Sequence, residues 1–86
     1  MWDVKKIERM QTGLRLEKRL VKVLKGLAEY LDIPMSELVE GIALHAIEGK
    51  APPFSDQTLQ KVSALKGVYG LDLTAADSHG LTEDLA

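Results

Sequence analysis

Residues 8–18 read "ERMQTGLRLEK", and whether this stretch is strand or helix decides the fold. From Arg9 to Leu16 the residues alternate. Met10, Thr12, Leu14 and Leu16 fall on one side, and Arg9, Gln11, Gly13 and Arg15 on the other. Alternation of this kind marks a half-buried strand. A helical reading also has support, since Ile7, Met10 and Leu14 share a helical face, but Glu17 and Lys18 come next on it and break the stripe. Gly13 weighs further against a helix, by about 1 kcal/mol relative to alanine. The stretch is therefore expected to be a strand. A lone strand leaves a row of N–H and C=O groups unpaired, and no other part of the chain reads as its partner.

Working outward, the period changes at Glu17. Leu20, Val23, Leu24, Leu27 and Leu31 form an apolar stripe, and Lys18, Arg19, Lys22, Lys25 and Glu29 fill the rest, which predicts an amphipathic helix over 18–30. Ile33 precedes Pro34 and is pushed out of the helical region, so this helix ends before it. Pro34 suits the first turn of a second helix over 35–48, with Leu38, Val39, Ile42, Ala43, Ala46 and Ile47 as its apolar face and Gly49 as its left-handed stop. Gly41 inside it is expected to permit close approach of another helix. "KAPPF" reads as a stiff linker, residues 50–54. Ser55 is a candidate N-cap for a third helix carrying Leu59, Val62, Leu65 and Val68, with Phe54 and Leu59 spaced as a hydrophobic staple. Thr74 and Asp77 are spaced to open a last short turn before Gly80.

The chain has 86 residues, which predicts one small domain. A core of that size is commonly completed by a second copy. There is no cysteine, so disulfides and thiolate metal sites are excluded. No apolar run approaches the ~20 residues of a membrane span, and a cytoplasmic location is expected. The net charge is −2, but it is unevenly spread. Residues 1–25 hold eight Lys or Arg against three Asp or Glu, a net +5, and the remainder carries −7. That asymmetry predicts a basic working face on an acidic body.

Strand, helix, turn and helix fit into about 40 residues, too few for an independent core. Two copies pairing their strands antiparallel across a two-fold axis would satisfy the strand edges and build one shared core. The core of that dimer is expected to comprise Met10, Thr12, Leu14, Leu16, Leu20, Leu24, Leu27, Leu38 and Ile42.

On these residues the stretch "TGLRLEKRLVKVLKGLAEYLDIPMSELVEGIALHAI" resembles the ribbon-helix-helix family of MetJ/Arc-type DNA-binding proteins. The resemblance covers residues 9–49, preceded by an N-terminal arm over 1–8 and followed by the linker and a helical extension over 55–86. It implies a mostly α fold in which one strand pairs with its symmetry mate in an intertwined homodimer. It also implies a sequence-specific transcriptional regulator, such as a repressor, that inserts an antiparallel ribbon into the DNA major groove. The base-contacting positions implied are Arg9, Gln11, Gly13 and Arg15. Arg pairs bidentately with guanine and Gln with adenine, whereas Gly13 stands where the family usually has a polar reader. Phosphate contacts are implied at the second helix's N-terminus, around Met35 and Ser36, with Lys5 and Lys6 on the arm as further candidates. Glu17, at the start of the first helix, is expected to repel phosphate if it faces DNA. Pairs of dimers on repeated half-sites are a family habit.

Two other functions remain open on the sequence. The resemblance also implies an antitoxin reading, in which the C-terminal half grips a partner protein; residues 50–86, acidic with an apolar stripe, would take that role here. Alternatively, the dimer is a scaffold that binds no DNA. An enzyme is not expected, because no candidate catalytic groups have meaningful spacing. "ADSH" at 76–79 holds Asp, Ser and His only as neighbours, and a triad must converge in space. His45 and His79 lack the spacing of a helical metal pair, so neither a metal nor a cofactor is expected.

Overall fold

A computed structural model describes residues 4–83. Residues 1–3 of the expected arm and the last three of the expected extension lie outside the described residues. The described chain is all-helical: α1 (Lys18–Leu31), α2 (Met35–Ile47), α3 (Asp56–Tyr69) and a 3-10 turn at Ala75–Asp77.

The ribbon-helix-helix architecture expected above is overturned, because residues 9–16 form no strand. Alternation gives a segment two faces, but a strand is made by a ladder of hydrogen bonds to a neighbour. No described segment lies in register beside 9–16, and no backbone hydrogen bond among the described residues involves it. The even residues are not buried either: Met10 is 86% exposed and Leu14 73%. Thr12 and Leu16 are exposed as well. The segment is an irregular, solvated lead into α1.

Local chemistry explains the helix limits. At the start of α1 the Glu17 carboxylate accepts from the Leu20 N–H at 2.8 Å, acting as the N-cap. Asp32 takes up left-handed geometry at φ 58°, a conformation that Asp tolerates better than most residues, and ends the helix. The Ile33 N–H then reaches back to the Ala28 carbonyl at 3.1 Å. Pro34 is the N-cap of α2 and offers no side-chain bond. Gly49, at φ 74°, follows the last turn and donates to the Ala46 carbonyl at 3.0 Å, as a left-handed stop should. Ser55 caps α3 by accepting from the Thr58 N–H at 3.1 Å, and its hydroxyl donates to Thr58 Oγ1. Replacing Ser55 with alanine is expected to cost about 1 kcal/mol. Thermal unfolding followed by circular dichroism should then shift down by roughly 4–8 °C for a domain of this size.

Three contacts set how α3 lies on α1. Lys22 Nζ sits 6.0 Å from the centre of the Tyr69 ring, and Lys61 Nζ 5.5 Å from that of Tyr30. Between them a Cβ added at Gly26 would come within 2.9 Å of Leu65 Cδ2. Moving forward one turn in α1 moves back one turn in α3, so the two helices run antiparallel in register. Gly26 is the residue that lets α3 come close. Gly41, expected to do so from α2, has open space around its Cβ position.

The core is Val23, Leu27 and Ala28 from α1, Leu38 from α2 and Leu65 from α3. Leu24, Ile42, Phe54 and Val62 pack around it, partly buried. Leu20, assigned above to a dimer core, is half-buried. Residues 55–69 therefore belong to the same core as α1 and α2. Much apolar surface stays uncovered: Val39, Leu44 and Ile47 on α2 are exposed, Ile47 by 82%.

Candidate nucleic-acid interface

The segment before α1 and the first turns of α1 carry most of the chain's Lys and Arg. Lys5, Lys6, Arg9, Gln11 and Arg15 all lie in the exposed lead, and Lys18 opens α1. Lys5, Lys6 and Lys18 make no ion pair among the described residues. Gly13 has nothing within 4 Å of its Cβ position, so the backbone there is open to close approach.

Residues 7–10 run along the first half of α2. Ile7, Glu8, Arg9 and Met10 line one side of a shallow cleft of about 360 Å³, and Ser36, Val39 and Glu40 line the other. The fold thus brings Arg9 and Ser36, 27 positions apart in the sequence, to one surface. Because Pro34 caps α2 without a side chain, the N–H groups of Met35, Ser36 and Glu37 are taken by no backbone carbonyl, and Leu38 is the first to bond back, to Pro34. Such free N–H groups at the positive end of a helix suit a phosphate oxygen. Ser36 is exposed and Met35 half-buried.

Arg15 lies apart from Arg9, in a second cleft of about 620 Å³ between the start of α1 and the C-terminal segment. Leu16, Leu20, Leu73 and Leu81 provide its apolar wall. Arg19 ties the two sides together, donating from Nη1 to the Gly70 carbonyl at 2.9 Å and to Asp72 at 3.0 Å. The candidate base-reading residues are therefore spread along the lead, with Arg9 and Arg15 in different clefts, and do not converge on a point.

Sequence reasoning missed the acids. Arg9 is paired with Glu40 of α2, with Nε to Oε2 at 2.8 Å and Nη2 to Oε1 at 2.9 Å. Arg15 is paired in the same two-pronged way with Glu83. Glu17 is occupied as the α1 cap and as the partner of Arg19 Nε at 2.8 Å. Its glutamate identity hides the cap, since Ser, Thr, Asp and Asn are the usual signals.

These contacts shift two carboxyl groups. Hydrogen bonds from Arg19 and from the Leu20 N–H hold Glu17 below its ordinary range, and the hydrogen bond from Arg9 does the same for Glu40. A carboxyl depressed in the folded state stabilises it when ionised. That contribution is complete above the unfolded value near 4.5 and is lost as pH falls through the folded values. The melting temperature is expected to be level down to about pH 5 and to fall below pH 4.5. The fall should be shallow, because exposed pairs are screened by water. The double substitution Glu17→Gln, Glu40→Gln should flatten it.

His45 Nδ1 lies 2.7 Å from the Gly41 carbonyl, a local helix contact. Among the described residues no group of three potential ligands gathers to hold a metal. None of the described helices is long and apolar enough to cross a membrane. No family model, curated protein or solved structure matches the chain.

Proposed function

We propose that the protein is a homodimeric, sequence-specific DNA-binding protein of the cytoplasm, acting as a transcriptional regulator. In this reading the exposed lead into α1 lies along a DNA groove as an extended arm. Arg9, Gln11 and Arg15 address base edges, and Lys5, Lys6 and the N-terminus of α2 hold phosphates. The observation that carries it is the solvated backbone of residues 9–16, studded with basic and amide side chains, the first part of which lies beside the uncapped start of α2. Extended basic arms are a known way of entering a groove without a folded reading element. Dimerisation is supported by a small core and by the uncovered side chains of Met10, Leu14, Leu44 and Ile47.

Selection of bound sequences from random duplex DNA at moderate salt tests the proposal. Enrichment of a two-fold-symmetric site is expected, and loss of that enrichment in the Gln11→Ala, Arg15→Ala variant. No enrichment by the unaltered protein would overturn it. A second reading, a dimerisation scaffold that binds no DNA, draws its support from the ion pairs at Arg9 and Arg15, and predicts that null result. The reading in which residues 50–86 grip a partner protein draws its support from the exposed Leu59 and Val68 on α3, while Leu65 is committed to the core.

A further inference from the structure

Both arginines assigned to base reading are held by carboxylates that come from elsewhere in the fold. Glu40 lies on α2, 31 positions from Arg9, and Glu83 lies in the C-terminal segment, 68 positions from Arg15. In each pair the carboxylate takes the Nε and Nη2 donors together. That planar fork is the recognition edge an arginine offers to guanine or phosphate. With it occupied, the guanidinium charge is cancelled locally, and a carboxylate stands where it would repel an approaching phosphate.

We infer that the basic segment is self-masked: Glu40 and Glu83 occupy the arginine forks of residues 9–15, and DNA must displace them to bind. The inference rests on the DNA reading above and deepens it. Two independent elements deliver the acids. Glu40 projects from the first half of α2, along which residues 7–10 run. Glu83 arrives because Arg19 fastens Gly70 and Asp72 to the start of α1, so the segment beyond α3 returns beside Arg15. Lys5, Lys6 and Lys18 stay outside these pairs. They supply a first, sequence-independent encounter with phosphate, after which the arginines exchange a carboxylate for DNA. Pairing of this kind penalises weak, non-specific contacts most, because only a site that engages both arginines compensates for opening both pairs.

The test compares the full chain with Glu40→Gln, Glu83→Gln and the double variant on one random-sequence duplex at 50 and 200 mM salt. Glu29→Gln is the control: it removes the same charge from an exposed α1 position that makes no ion pair among the described residues. Each exposed pair opened is expected to tighten binding by up to about 5-fold per protomer beyond the control. The gain should shrink at 200 mM, because salt already weakens the internal pairs. Either glutamate variant that binds no tighter than Glu29→Gln, while the unaltered protein binds DNA, overturns its half of the mask. Binding by none of the proteins, the double variant included, overturns the DNA reading and the mask with it.

Discussion

Affinity of the dimer for duplex DNA is expected to fall by roughly 10³–10⁵-fold between 50 and 200 mM salt, if ~6–10 phosphates are engaged. In the proposed dimer each protomer offers Lys5, Lys6 and Lys18, which make no ion pair among the described residues, and the open first turn of α2, before either arginine is counted. Two protomers therefore reach that range. The whole chain is acidic at −2, so general attraction to DNA cannot account for binding. A steep slope would have to come from the local field of the lead and the start of α1. Titration by fluorescence anisotropy measures it directly. Lys5→Ala and Lys6→Ala should each lower the slope by about 1 for every phosphate no longer neutralised, with sequence preference unchanged. Arg15→Ala should instead relax preference at one position. A flat salt response, or none of these variants altering it, would sink the interface.

The parts of this protein legible in its sequence are those fixed by neighbours along the chain. The stripe from Leu20 to Leu31 places α1 correctly, because a helix lays residues three and four apart on one face whatever lies opposite. Gly49 and Ser55 declare their turns for the same local reason. The lead over 9–16 misleads, because strand alternation needs a ladder to become a strand, and the ladder depends on a partner that no local pattern reveals. Contacts between distant positions are equally silent. Nothing near Gly26 in the sequence points to Leu65, and only that leucine opposite it shows why glycine suits the place. Residues 55–86 read as a helical extension whose narrow stripe does not say what it packs on, whereas Leu65 with Lys61 and Tyr69 docks α3 on α1. Within the candidate interface, Arg9, Gln11 and Arg15 can be picked out by residue type. Glu40 and Glu83 cannot, since nothing in their surroundings in sequence points to an arginine 31 or 68 positions away.

Leu27→Ala should be among the most damaging single changes to the fold, at a cost of about 2–5 kcal/mol. Leu27 is 2% exposed and sits where Val23, Ala28, Leu38 and Leu65 meet. A chain of this length has a total stability of only roughly 4–13 kcal/mol, so the variant should lose a large share of it and melt at least about 10 °C lower. Ile47→Ala makes the informative contrast. Ile47 is 82% exposed in the single chain, and truncating a residue so placed should change stability by no more than about 0.5 kcal/mol. If a second copy covers that end of α2, the cost becomes that of a buried residue. It should then depend on protein concentration, because stability drawn from association follows mass action. Melting both variants at low and high micromolar protein separates the cases. Leu27→Ala should be destabilised at every concentration, by damage within one protomer. An Ile47→Ala defect that grows with concentration relative to the unaltered protein would place Ile47 in the dimer interface. A negligible defect at all concentrations would exclude it and leave the exposed face of α2 outside the contact between copies.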